Sequence, residues 1–573
     1  MTKLLKIDLI AGLIIILALV LAIFSVKGDS VTTDESPHVT AGYSYLTQQD
    51  MRLNPEHPPL MKDIAAIPLL FEKINFDSEH YSWKTDINGQ WTFGTHFLYE
   101  SGNNPDKIIF SARLAVMLIF LLLGIMVYIW TKERYGAKAG LLSLFLTVFS
   151  PNIIANGRYV TTDVAAAFGF ILGSYFFVKF INNQTKRNLI YAGLAFGIAQ
   201  LLKFSLIILI PLFVFTGFVY WLVSKKISFS RLILSLVSIF TIGYLLVWPV
   251  YAFHVWKYPI ERQKTDTQFT LRSYPIKPAA NLVIWATDKP LLRPYAQYSL
   301  GLLMVFQRTG GGNTTYFLGD INNQAWKSYF PTIYVLKETI PALVLILIAL
   351  ALGIKNVSKN WKRKSAWLTE NFTEFVWLSF IAIYWALSIK GNLNIGVRHV
   401  LPTFPFIYML TAGQISSWIK TGLKPIKVLV VCILTVWLGM ETLSTYPYYL
   451  SYYNELAGGP DNGYKYAVDS NLDWGQDLKR LTQYVNENNI DKIKLEYFGG
   501  GNPQYYLGNK YEKFDPNNVS QRHGWIAVSA TALQAGRATA TKGFQGDTTF
   551  YKWIDSYTPV TKIGYSIFVY KLE

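Results

Sequence analysis

Residues 189–223, LIYAGLAFGIAQLLKFSLIILIPLFVFTGFVYWLV, decide how this chain is threaded. As helix, at about 1.5 Å per residue, the stretch is too long for one crossing of a ~30 Å apolar layer and short for two. Charge arbitrates. Lys186 and Arg187 precede it and Lys225, Lys226 and Arg231 follow it, and clustered basic residues mark the cytoplasmic end of a span. Both ends therefore lie on one side, and the stretch crosses twice with a tight turn at Lys203. Working outward, apolar runs at 9–25, 108–130, 139–156, 163–181, 232–253, 332–354, 372–389, 400–418 and 428–446 bring the expected number of spans to about eleven. With the N-terminus cytoplasmic, every even-numbered connection is short and basic: Lys132, Arg134 and Lys138; Lys186 and Arg187; Lys225, Lys226 and Arg231; Lys355, Lys359, Lys362, Arg363 and Lys364; Lys420, Lys424 and Lys427. The other face receives two long segments, about 26–107 and 254–331, and everything after residue 446.

Composition agrees. Of 573 residues, 51% are hydrophobic and only 16% charged, against about a quarter charged in a soluble domain. The net charge of +17 resides in clusters between apolar runs, which is a topology signal and not a nucleic-acid-binding face. The single cysteine, Cys432, excludes an internal disulfide. Lys3 and Lys6 before the first run resemble the start of a signal peptide, but no small-x-small pattern follows before Lys27, so an uncleaved span is expected. The tail is a different material: Leu478, Leu481 and Val485 recur at helical spacing within 475–488, and strand-like runs fall at 492–498, 524–530 and 561–571. The expected fold is thus an α-helical polytopic membrane domain over 1–446, followed by a small extracytoplasmic α/β domain over 447–573. No internal repeat is present.

Several polar groups fall on the outer side of this topology. Asp34 and Glu35 stand in Thr33-Asp34-Glu35-Ser36-Pro37-His38, directly after the first span, and Glu56 and His57 in a proline-pinned Asn54-Pro55-Glu56-His57-Pro58-Pro59-Leu60. Arg158 and Asp163 bracket the start of the fourth span, Lys203 occupies the tight turn, and Arg398 and His399 open the tenth. Taken singly, each is explained by a solvated loop or by snorkelling. Independent snorkelling residues would divide between both faces, whereas these gather at one. Carboxylates beside cations suit a reaction in which a carboxylate takes a hydroxyl proton and Arg or Lys stabilises charge on a departing phosphate. A substrate reached from the lipid points to a polyprenyl-phosphate sugar. Gly310-Gly311-Gly312 lacks the Lys-Ser/Thr continuation of a phosphate loop. His38, His57 and Glu56, with Asp34 or Glu35, are a donor set for zinc or manganese, although the spacing is not diagnostic and no metal is expected to be required. Asp469, Asp473 and Gln476 in the tail read as caps and turns.

The order of Asp34-Glu35, Glu56-His57-Pro58-Pro59-Leu60, Arg158-Tyr159-Val160-Thr161-Thr162-Asp163, Gly193-Leu194-Ala195-x-Gly197 with Lys203, Leu318-Gly319-Asp320 with Trp326 and Tyr329-Phe330-Pro331, and Asn394-Ile395-Gly396-Val397-Arg398-His399 resembles glycosyltransferase family 39. These are the protein O-mannosyltransferase-like and aminoarabinose-transferase-like enzymes of the GT-C superfamily, and the resemblance covers about 1–450. The tail, with Tyr449 to Glu455 and Asp469 to Asp477, is similar to a prokaryotic branch. The resemblance implies inverting transfer from a polyprenyl-phosphate sugar to a protein, glycan or lipid acceptor in a plasma membrane, without a metal, with Asp34 nearest the acceptor and Glu35 beside it. Arg398, Lys203, Arg158 and His57 are the expected phosphate ligands, and His38, Glu56, Asp163 and His399 line the pocket. Aminoarabinose transferases often carry Lys where His57 stands, which passes the phosphate role toward Arg398 or Lys203. The rival reading is a transporter or flippase of lipid-linked sugars, for which repeats and midplane charges would be expected.

Overall fold

The computed structural model describes every residue except Met1, Lys225 and Lys542, so Lys225, one of the basic residues used above, lies outside the described residues. Among those described, eight helices are long and apolar enough to cross a membrane, and nine if one bent pair is a single span. The two remaining expected crossings are helices of 17 and 16 residues, Lys186–Leu202 and Phe404–Ile419. The chain is an integral membrane protein. Leu9, Leu13, Ile16, Leu17 and Phe24 of the first helix are exposed, as a lipid-facing surface requires.

The 189–223 stretch breaks at Lys203, whose φ of −159° and ψ of 141° are extended. Helix Leu209–Ser224 then runs back alongside Asp163–Asn182. Lys203 meets Asp163 at one end, Leu209 meets Gly173 further in, and Phe213 stacks on Phe177 at 4.1 Å. Helix Lys186–Leu202 runs the opposite way, with Tyr191 against Phe176 near the other end. The two crossings are a hairpin whose ends share a side.

Two runs differ from expectation. Residues 139–156 bend by 64° between Ala137–Val148 and Pro151–Gly157, because Pro151 opens a new helix and cannot continue the old one. Residues 332–354 divide into Tyr329–Lys337 and Ile340–Lys359, with Glu338 extended and Pro341 in the first turn of the second helix. The apolar crossing therefore begins later than hydropathy implies.

Both long outer segments are structured. The first carries helices Glu35–Gln48, Leu60–Ala66 and Gln90–Thr95. The second carries Ile260–Leu271, Lys277–Ala286 and Arg293–Gly311, then a hairpin of β1 (Thr315–Phe317) and β2 (Asp320–Asn322). In the tail, Leu478, Leu481 and Val485 are the buried face of helix Leu478–Glu487. The tail strands are β3 (Ile493–Glu496), β4 (Tyr511–Lys513), β5 (Gly524–Ser529), β6 (Thr539–Ala540), β7 (Thr561–Ile563) and β8 (Ile567–Leu572). Five of them form a sheet in the order β4-β3-β5-β8-β7. The run 561–571 is two strands, because Gly564 and Tyr565 take φ of 58° and 67° and turn the chain back on itself. The tail is also stitched to the rest: β6 pairs with β2 of the outer loop, and Tyr316, Ile321 and Leu336 share a core with Ile526, Val528 and Phe568.

Candidate active site

A cavity of about 540 Å³ lies where the outer segments meet the ends of the spans, and Asp34, His38, Glu56, His57, Asp163, Lys203, Arg398 and His399 all line it. Eight of the ten expected site residues, from five separate stretches of chain, therefore share one wall. A larger cleft, about 1450 Å³, lies on the other side of helix Phe372–Lys390 and is lined largely by apolar side chains. It contains none of them.

Asp34 directly precedes helix Glu35–Gln48 but makes no side-chain cap to it. Its Oδ2 accepts instead from Arg398 at 2.6 Å. Burial alone would raise the Asp34 carboxyl, but the charges of Arg398 and His38 outweigh it and hold the group below the usual carboxylate range. Arg398 also stands 3.7 Å from Asp163, and Asp163 pairs with Lys203 at 2.6 Å. Asp163 opens its helix, where the helix dipole favours a carboxylate. The result is a chain of alternating charge, Asp34, Arg398, Asp163, Lys203, drawn from four elements.

The tail fixes the Arg398 loop. Trp474 lies under the guanidinium at 4.2 Å, Ser470 Oγ donates to the Ile395 carbonyl at 2.7 Å, and Val397 N–H donates to Asn471 at 2.9 Å. Gly396 has φ 98°, and a Cβ there would sit 2.6 Å from Ser470 Oγ, so only glycine fits. Gln476 accepts from the Trp474 N–H within its own turn, as expected of it, whereas Asp473 accepts from the Thr531 N–H at the start of helix Ala530–Ala535 and so makes a long-range contact.

His38 donates from Nδ1 to the Val160 carbonyl at 2.9 Å and meets His57 edge to face at 5.0 Å. Burial lowers both imidazoles, His57 well below its ordinary value with His38 and Lys62 adding to the effect. His57 is thus neutral near pH 7 and can offer a phosphate a hydrogen bond but no charge. Glu56 accepts from Gln90 at 2.5 Å and from Asn88 at 3.2 Å. The donor set expected around His38, Glu56 and His57 does not close into a ligand group among the described residues, where only His80, His96 and Glu100 do.

Two expected residues lie elsewhere. Glu35 is fully buried, gripped by Arg113 at 2.7 and 2.6 Å and by the Thr32 and Val160 N–H groups. With both oxygens used this way, it braces the outer loop against helix Pro105–Tyr135. Arg158 is also buried, 3.1 Å from Asp29 and donating to the Pro447 carbonyl, so it joins the tail to the membrane domain and does not reach the cavity. Sequence reasoning missed three groups. Arg308 and Lys390 line the cavity, are exposed, and have no ion-pair partner among the described residues. Each ends a helix, where Lys and Arg are so usual that the sequence carries no signal for them. Lys62 donates to Tyr45, to Asn54 and to the His57 carbonyl, stapling the Glu56-His57 turn. Its place three residues after Pro58-Pro59 was the available signal.

Residues 106–253 match the family model of dolichyl-phosphate-mannose-protein mannosyltransferases. No curated protein matches the chain. Among solved structures, the S. cerevisiae protein O-mannosyltransferase Pmt1-Pmt2 complex bound to the sugar donor is similar with a TM-score of 0.54 at 10% identity, over 77% of this chain and 89% of that one. The archaeal oligosaccharyltransferase AglB from Archaeoglobus fulgidus is similar at 0.47 and 12% identity, over 92% and 71%. ArnT from Cupriavidus metallidurans bound to undecaprenyl phosphate is similar at 0.31 and 12%, over 97% of each. The architecture, apolar spans with structured connecting segments and small sheets toward the C-terminus, is of the fold class of the Pmt1-Pmt2 structure. Within that class the resemblance is to glycosyltransferase family 39, on the match of residues 106–253 and the ordered motifs.

Proposed function

We propose that the chain is a glycosyltransferase that moves a sugar from a polyprenyl-phosphate donor to the hydroxyl of a protein, glycan or lipid acceptor, with inversion, at the extracytoplasmic face of a prokaryotic plasma membrane. The observation that carries this reading is the Asp34–Arg398 pair, 2.6 Å apart in a cavity that four cations and three carboxylates line. Asp34 takes the acceptor proton as the hydroxyl oxygen bonds to the anomeric carbon. The bond to the phosphate oxygen breaks on the opposite side, and its electron pair leaves with the phosphate. Attack opposite the leaving group inverts the carbon.

Arg398 serves both anions. In the resting site it neutralises Asp34, and a donor phosphate competes for the same guanidinium, whose fork can engage two oxygens. Lys203, anchored by Asp163, and Arg308 and Lys390, unpaired among the described residues, supply the remaining positive charge. No step calls for a metal. The family match supports the donor class, since its description names a dolichyl-phosphate sugar.

The test incubates the purified protein with a panel of polyprenyl-phosphate sugars and follows donor consumption and free polyprenyl phosphate. One donor should be consumed with acceptor present, and Arg398→Lys, which keeps charge but loses the fork, should lower both donor affinity and single-turnover rate. A fully active Arg398→Lys enzyme overturns the phosphate role. A flippase would move a lipid-linked sugar across vesicles without consuming it.

A further inference from the structure

Within the second outer segment, helix Lys277–Ala286 is apolar on two opposite faces. Ala280 and Val283 are buried and share a core with Leu271, Tyr274, Ala296 and Leu300. On the other side Pro278, Leu282 and Trp285, at spacings of four and three residues, form a second helical face that is exposed, Leu282 by 63% and Trp285 by 51%. Leu291, five residues past the helix, is 74% exposed. A helix at a water surface carries one apolar stripe and turns polar residues outward. Here the outward stripe is apolar as well, and it needs a cover that the described residues do not supply.

The contacts of this segment place it at the edge of the apolar layer. Trp248 of span Phe229–His254 donates from Nε1 to the Leu291 carbonyl at 2.8 Å, and Tyr295 donates to the Tyr244 carbonyl at 3.0 Å. The depth of Trp248 follows from the neighbouring span. Gly193 faces Ile239 and Ile242, and Gly197 faces Gly243 and Leu246, so helices Lys186–Leu202 and Phe229–His254 run the same way. Lys203 stands six residues beyond Gly197 and Trp248 five beyond Gly243, about 9 and 8 Å at 1.5 Å per residue. Trp248 is therefore close to level with Lys203, the charged turn where the spans end. Leu245, three residues before Trp248, is exposed, so Leu291 joins the lipid-facing side of that span. Lys289 lies over the Trp285 ring at 5.5 Å and Arg272 over Phe269 at 3.7 Å, aromatic and cationic pairs of the kind that settle where acyl chains meet headgroups.

We propose that helix Lys277–Ala286 and the turn that follows it to Leu292 rest in the phospholipid leaflet on the cavity side of the membrane, with Leu282, Trp285 and Leu291 at the boundary between headgroups and acyl chains. The partner is the lipid surface itself: the exposed stripe continues the lipid-facing side of a span, and the cations around it suit headgroup phosphates. The buried face of the helix packs on Ala296 and Leu300 of helix Arg293–Gly311, whose later residues Leu302, Val305 and Arg308 line the cavity. The leaflet thus holds one cavity wall in place through a helix that does not itself reach the cavity.

The experiment uses the full chain in dioleoylphosphatidylcholine nanodiscs, which leave both membrane faces open to water. In a Cys432→Ser background, Leu282→Cys and Leu291→Cys are each labelled with an environment-sensitive fluorophore, beside Val237→Cys in the middle of the span and Ser520→Cys on the tail. All four positions are exposed, so the substitutions remove no core contact. Labels at 282 and 291 should emit to the blue of the label at 520 and resist quenching by aqueous iodide. A nitroxide near the lipid headgroup should quench them more than one deep in the acyl chain, the order reversing at 237. Iodide quenching at 282 or 291 equal to that at 520 would mean that the face is in water and overturns the proposal. Protection from iodide and from both nitroxides would mean that protein, such as a second copy of the chain, covers the face, and overturns it equally, as would stronger quenching by the deep nitroxide. None of these outcomes depends on glycosyl transfer, so the lipid contact stands or falls apart from the proposed function.

Discussion

Asp34 and Glu35 are neighbours in the chain and part company in the fold. One helix start sends the first carboxylate into the cavity and the second into the protein, where Arg113 and two backbone N–H groups consume it. The sequence allowed either as a base, since adjacent acids at a membrane face look alike until their partners are known. Their amide variants should separate cleanly. Asp34→Asn should fold normally, bind donor, and lose on the order of 100-fold to 10,000-fold in turnover, the range of a lost general base. Glu35→Gln should instead lower thermal stability, since breaking a buried ion pair costs about 3–5 kcal/mol, while folded protein keeps donor affinity. Melting curves and single-turnover rates on both variants check this; a stable, inactive Glu35→Gln would reverse the assignment. The sign of the Asp34 shift adds a pH expectation. Its carboxyl is held below the ordinary value, so the stabilisation from the Arg398 pair is fully present above the unfolded carboxylate range and is lost only as pH falls through the lower folded value. The acid limb of the rate should accordingly move up in pH in Arg398→Gln.

Among the elements, helix Lys186–Leu202 shows why a short motif recurs in order without touching the site. Gly193 and Gly197, four residues apart, face helix Phe229–His254. A Cβ at Gly197 would stand 2.7 Å from the Gly243 carbonyl oxygen, and one at Gly193 2.6 Å from Ile242 Cβ. Small residues at this spacing let two backbones approach where lipid offers no hydrophobic drive to associate. The obstacle at Gly197 is backbone and cannot rotate away. Gly197→Val should therefore destabilise by about 1–3 kcal/mol, the usual cost of overpacking, and lower the yield of monodisperse protein, with Gly353→Val, where nothing lies within 4 Å, as the neutral control. Equal melting temperatures for the two would refute the close approach. The glycine pair was visible in the sequence, but its partner helix was not, because hydropathy reports that a face is apolar and not which face it meets.

Over the whole molecule, the double crossing at 189–223 settles which loops share a side. In a Cys432→Ser background, cysteines placed at exposed Glu79 and Ser520 should react with an impermeant thiol reagent from outside intact cells, and one at Lys226 only after permeabilisation. Reaction of 79 and 520 from opposite sides would break the shared-face argument for the site. Most of the apolar spans, the hairpin at 189–223 and the amphipathic helix of the tail were legible in the chain, because each depends on local composition that water and lipid read directly. So was the set of polar groups that gathers on one face. What tertiary structure alone decided is which of those groups meet. The tail is not a freestanding appendage: β6 pairs with β2, Arg480 reaches Asp29 at 2.6 Å, and Trp474 lies under Arg398. Asp34 and Arg398 are joined across 364 positions of sequence, and their contact rests on packing between segments whose local patterns carry no record of one another.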